Sequence, residues 1–178
     1  MKTVMVSVKT GSAPTFRTTM NIDVVPPLFE LPEPLIADGI KYTGVALEVF
    51  PQTVVSAGNY ADGAEVNVKF AGTETSAHLL QVGGKQGVTV KEARELPKDL
   101  LMLDGKPIGE YQANSKNSLT LFMPANANFH TRMQKVIRSF VFATQHEMTS
   151  DMWVELQVLD CARLYTRTAK VKVWTDPK

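Results

Sequence analysis

The dominant pattern along the chain is alternation of apolar and polar residues. In "KTVMVSVKT" Val4, Val6 and Val8 share a face, and in "GVALEVF" Val45, Leu47 and Val49 do the same. Val66, Val68 and Phe70 line up in "AEVNVKF", Leu119, Leu121 and Met123 in "SLTLFM", and Val154, Leu156 and Val158 in "WVELQVLD". The last run, "TAKVKVWT", sets Ala169, Val171 and Val173 against Lys170, Lys172 and Trp174. A period of two with β-branched residues predicts half-buried antiparallel strands. Turn-forming stretches separate the runs: "SAGNYADGAE", "VGGKQG", "LDGKP" and "ANSKNS". The expected fold is mainly β, an antiparallel β-sandwich or barrel, built as a single domain over residues 1–178.

One segment breaks the rhythm. In "NFHTRMQKVIRSFVFATQHEM" Phe129, Met133, Val136, Ile137, Phe140, Val141 and Met148 recur at three and four, which predicts an amphipathic helix over about 128–148. Asn126 or Asn128 is placed to cap its start. A strand over 136–143 fits less well, because both of its faces would be apolar. A turn or two of helix is a further option in "VKEARELPKDLL", limited by Pro97.

A second departure lies in "NIDVVPPLFELPEPLIADG". Four of the ten prolines, Pro26, Pro27, Pro32 and Pro34, fall within nine residues and enclose Leu28, Phe29 and Leu31. Proline donates no backbone hydrogen bond and drives the preceding residue toward extended geometry. The expectation is an extended arm over 24–36, reaching roughly 40 Å at full stretch. Its apolar side chains need a dry surface. Either the arm seals an edge of its own sheet, or Leu28, Phe29 and Leu31 dock on a neighbouring subunit, a role suited to a stiff segment that loses little entropy on binding.

Composition narrows the function classes. At 178 residues, 44% hydrophobic and 21% charged, the chain has ordinary globular values. A net charge of +1 argues against an overall electrostatic partner such as duplex DNA or an anionic membrane. Charge is nevertheless uneven: residues 21–50 carry Asp23, Glu30, Glu33, Asp38 and Glu48 against Lys41 alone, whereas residues 129–178 carry eight Lys or Arg against five acids. The lone Cys161 allows no internal disulfide, and no run is long and apolar enough for a membrane span. The start lacks the continuous apolar core of a signal peptide, so a reducing cytoplasm is the expected site of synthesis.

Candidate chemistry is sparse. "QVGGKQG" lacks the hydroxyl residue that a phosphate-binding loop needs after its lysine, and reads as a hairpin turn between "HLLQV" and "GVTV". His78, His130 and His146 have no metal-ligand spacing. His130 and His146 would lie near 24 Å apart on a continuous helix, at about 1.5 Å per residue. Cys161 has no histidine near it in sequence and reads as a small, partly buried residue. No enzyme activity, cofactor or metal is expected. Arg163, Arg167, Lys170 and Lys172 lie near Tyr165 and Trp174, as in small barrels that stack single-stranded bases. The pleat splits them, however: Tyr165 and Arg167 fall on one face, and Lys170, Lys172 and Trp174 on the other. A single-stranded nucleic-acid-binding module is thus the alternative reading rather than the main one.

The valine-rich strands "EVNVKF" and "VELQVLD", the loops "ANSKNS" and "PANANFH", and the arm "VVPPLFELPEPL" together resemble tailed-bacteriophage virion proteins such as capsid decoration, neck and tail components. The resemblance implies a homo-oligomeric structural protein, assembled in the host cytoplasm and carried in the virion. Its partners would be other virion or assembly subunits; no membrane is expected from the sequence, and nucleic acid is the alternative partner rather than the expected one. The resemblance carries over no functional residue; the arm's own composition makes Pro26, Pro27, Leu28, Phe29, Leu31, Pro32 and Pro34 the residues expected to meet a partner.

Overall fold

The computed structural model describes residues 2–8 and 16–22 through their backbone, and residues 28–56, 62–71, 78–83, 86–93, 97–115, 117–144, 148, 150–161 and 166–176 in full. The chain opens with strands β1 (Lys2–Val8) and β2 (Phe16–Ile22). After the first prolines come β3 (Phe29–Glu30), helix α1 (Glu33–Ala37), β4 (Ile40–Lys41), β5 (Leu47–Glu48) and β6 (Val54–Val55). The central stretch holds β7 (Ala64–Ala71), β8 (His78–Val82), β9 (Val88–Lys91), β10 (Asp99–Leu103), β11 (Lys106–Ser115) and β12 (Ser118–Met123). Helix α2 (Phe129–Arg138), β13 (Phe140–Thr144), β14 (Met152–Asp160) and β15 (Thr166–Trp174) complete the described chain.

The protein is mainly β, as the alternation predicts. Eight strands form one sheet in the order β4-β15-β14-β7-β12-β11-β10-β9, antiparallel throughout except for the parallel pair β15–β4. Register stacks like on like. Val158, Val66 and Leu121 sit in one cross-strand row, and Leu156, Val68 and Leu119 in the next, all buried. The alternate positions of the same strands form a polar row, in which Thr120 donates to Asn67 (2.7 Å) and Asn67 donates to Gln157 (3.5 Å). A three-stranded sheet, β5-β13-β8, closes the core from the other side. Phe142 of this small sheet meets Phe70 of the large one edge-to-face at 5.7 Å and Tyr42 at 5.1 Å. That is the sandwich contact, and such aromatic pairs add about 0.5–1.5 kcal/mol beyond the area they bury.

The predicted helix exists but is shorter than expected. α2 buries Phe129, Met133, Val136 and Ile137 on one stripe, then stops at Ser139, whose hydroxyl donates to the Val136 carbonyl at 2.7 Å. Asn128 occupies the cap position in a left-handed conformation and makes no side-chain cap. Phe140, Val141 and Phe142 then continue as a strand with consecutive buried residues. A strand between two others in a covered sheet is apolar on both faces, and that is why the strand reading of this stretch is right here.

Two other expectations change. The glycine segment after Val82 is a crossover, not a hairpin, because β8 belongs to the small sheet and β9 to the edge of the large one. Around "VKEARELPKDLL", Val90 and Lys91 end one strand and Asp99 begins the next, with residues 94–96 outside the described set. The predicted turn at Asp104–Gly105 is present, with φ positive at both residues (49° and 77°), as a two-residue hairpin between twisted strands requires.

Candidate binding groove

The proline segment is not extended throughout. Pro32 is in polyproline geometry (φ −56°, ψ 139°) and stands as the cap of α1, with Pro34 in the first turn, where a missing N–H costs nothing. Pro26 and Pro27 lie outside the described residues. Leu28 and Leu31 are each 8% exposed and Phe29 is fully buried, all three within the chain's own core. Phe29 and Glu30 pair with Val55 and Val54. The edge beyond β6 is covered by α2, where the Gln134 side chain accepts the Val55 N–H at 3.1 Å and Arg138 donates to the Thr53 carbonyl at 2.9 Å. Leu28, Phe29 and Leu31 therefore pack in cis, whereas Pro32, Pro34 and Leu35 line a groove.

That groove has a volume of about 590 Å³ and is open to solvent. Pro32, Pro34 and Leu35 line it together with Gly39 and Ile40 and with Leu47, Pro51 and Gln52. It runs between two sheet edges: β4 ends the large sheet and β5 ends the small one. Gly39 (φ +72°) makes the turn from α1 into β4 against β15; a Cβ built there would lie 2.3 Å from the Lys172 carbonyl oxygen, so only glycine fits.

Two carboxylates, Asp38 and Glu48, line the groove, and Glu33 is exposed on the adjoining helix. Lys41 is turned away toward Asp176 and sits 5.6 Å over the Trp174 ring. Among the described residues none of these three carboxylates has an ion-pair partner. The rim is apolar. Val45 is 68% exposed and Ile36 47% exposed, although the alternation placed Val45 on the buried face with Leu47 and Val49. The reason is local: only Leu47–Glu48 is strand, and the chain bends at Gly44 (φ +91°). The signal for the groove was present in the acidic excess of residues 21–50; the exposure of Val45 had none.

The other candidates fall elsewhere. His78 in β8 shares a 3.0 Å hydrogen bond with Thr144, His130 is on α2, and His146 lies outside the described residues. Among the described residues no group of three or more His, Cys, Asp or Glu could hold a metal ion. Cys161 is half-buried just after β14, its backbone N–H on the Gly63 carbonyl at 3.1 Å. Arg163 and Tyr165 are outside the described set. The lysines of β15 face acids: Lys170 lies 3.3 Å from Glu155, which also meets Lys69 at 3.2 Å, and Lys172 lies 2.9 Å from Asp151. Burial pushes the Glu155 carboxyl up, but hydrogen bonds and charge from both lysines outweigh it and hold its pKa below the usual glutamate value. No helix among the described residues is long and apolar enough to cross a membrane.

Comparison with protein-family models, with curated proteins and with solved structures finds no match for this chain.

Proposed function

We propose that the protein is a structural subunit of a larger homo-oligomeric assembly, of the kind found as decoration, neck or tail components of tailed-phage virions, and that it acts through subunit contacts at the groove between β4 and β5. The observation that carries this reading is an open groove lined by Pro32, Pro34, Leu35 and Leu47 and by residues of two edge strands, with the exposed Val45 and Ile36 next in sequence to its lining residues Ala46 and Leu35. Isolated exposed valines are ordinary, but apolar residues gathered at a groove mark contact sites. An open groove between sheet edges also suits an extended polypeptide better than a small molecule, which is held largely enclosed. The pairing of Lys69, Lys170 and Lys172 with carboxylates favours assembly over the oligonucleotide-binding alternative, which needs free cations beside aromatic faces.

Sedimentation of the wild type and of Val45→Asp tests the proposal. The wild type is expected to form an oligomer in the micromolar range, and Val45→Asp to remain monomeric with an unchanged melting temperature. A wild type that stays monomeric, or a Val45→Asp variant that assembles as well as the wild type, would refute it.

A further inference from the structure

We propose that the occupant of the groove is the N-terminal β-hairpin of a second copy of this chain. The proposal rests on the assembly reading above and gives it a specific interface. β1 and β2 pair with each other over seven positions and form a sheet of their own; neither joins the eight-, three- or two-stranded sheets of the body. Two strands alone are at best marginally stable in water, so a persistent ribbon needs a surface to lie on.

Register shows which surface suits it. Lys2 pairs with Ile22, Val4 with Met20, Val6 with Thr18 and Val8 with Phe16, so these positions share one face. Thr3 with Asn21, Met5 with Thr19 and Ser7 with Arg17 share the other. Apart from Lys2 and Thr18 the first set of positions is apolar in sequence, a composition suited to a groove lined by Pro32, Pro34, Leu35 and Leu47 together with Asp38 and Glu48. A seven-residue strand is about 23 Å long at about 3.3 Å per residue; β4 and β5 are two residues each, so such a strand would add backbone pairing to an edge only over that short length and otherwise lie across the groove.

Charge supplies an independent argument. Residues 1–22 contain Lys2, Lys9 and Arg17 and no acid, while residues 28–52 contain Glu30, Glu33, Asp38 and Glu48 against Lys41. Lys41 is engaged by Asp176, which leaves the groove carboxylates to an incoming cation. Complementary charge of this kind fixes register and speeds encounter. Pro26 and Pro27 drive the residues before them toward extended geometry, which suits a connection that reaches a second copy, and the chain's own hairpin is the alternative that the test distinguishes.

A charge-swap experiment on the full chain tests this. One variant reverses the hairpin (Lys2→Glu, Lys9→Glu, Arg17→Glu), the other reverses the groove (Asp38→Lys, Glu48→Lys). Each alone is expected to assemble at least tenfold more weakly than the wild type at low salt. An equimolar mixture is expected to regain wild-type assembly, since every hairpin then meets a groove of opposite charge. If each variant alone assembles as the wild type does, or if the mixture stays dissociated, the hairpin proposal fails; loss of assembly in Val45→Asp would still uphold the groove as an interface. Hydrogen exchange on the wild type keeps the proposal falsifiable should a variant misfold. The β1 amides are expected to be protected at assembling concentrations and to lose protection on dilution, whereas equal protection at both would assign the hairpin to its own chain.

Discussion

Trp174, at the end of the last strand, donates its indole N–H to the backbone carbonyl of Asp38 at 3.0 Å, across 136 positions of sequence. The bond ties the groove's helical wall to the large sheet at the point where Gly39 passes against Lys172. Trp174→Phe keeps an aromatic ring beneath Lys41 but removes the donor. It is expected to cost about 0.5–1.5 kcal/mol in denaturant unfolding and to weaken assembly, because α1 loses its tether. Unchanged stability would mean that the indole bond contributes nothing net.

Gly39→Ala tests the same wall from the backbone side. The left-handed conformation alone costs a non-glycine residue about 1–2 kcal/mol, and the Cβ would collide with a main-chain oxygen that cannot move without shifting β15. A loss of stability at least as large as the conformational cost is expected, measured by thermal or denaturant unfolding.

Phe29 separates the two roles considered for the proline segment. Its complete burial predicts that Phe29→Ala destabilises the isolated subunit by about 3–5 kcal/mol, while any subunit that remains folded assembles normally. Loss of assembly with an unchanged melting temperature would instead show that this side chain serves a partner.

Much of the fold was legible because strands in a one-sided sheet write their burial as alternation: Val66, Val68 and Phe70, or Val154, Leu156 and Val158, face the core as their spacing predicts. The limit appears where burial is two-sided. Val136, Ile137, Phe140 and Val141 keep a helical spacing across a boundary at Ser139, and nothing local distinguishes the helix stripe from the covered strand that follows. The proline segment announced an unusual surface, but the direction of its side chains depends on β6 and α2, some 25 and 100 residues away. The groove itself is a non-local object, made where α1 and two short edge strands from different sheets come together. Sequence supplied its charge and its prolines, not its shape.

Glu155 links the polar row of the large sheet to pH. Its carboxyl bridges Lys69 and Lys170 from neighbouring strands, with the side chain 15% exposed, and its pKa is lowered in the folded state. A depressed folded value means that the stabilisation is present at pH above the unfolded glutamate value, near 4.5, and is lost as pH falls through the lower folded one. Each lysine is about half exposed, so solvent screens the pairs and about 0.2–1 kcal/mol apiece is the expected scale. Glu155→Gln should therefore be less stable than the wild type at neutral pH, with the two unfolding curves converging as the pH drops below the glutamate range. High salt should shrink the neutral-pH difference in the same way, since it screens the lysine charges without protonating the acid. A difference that persists unchanged into strong acid would mean that Glu155 acts through packing and hydrogen bonding, and that its charge contributes nothing to the sheet.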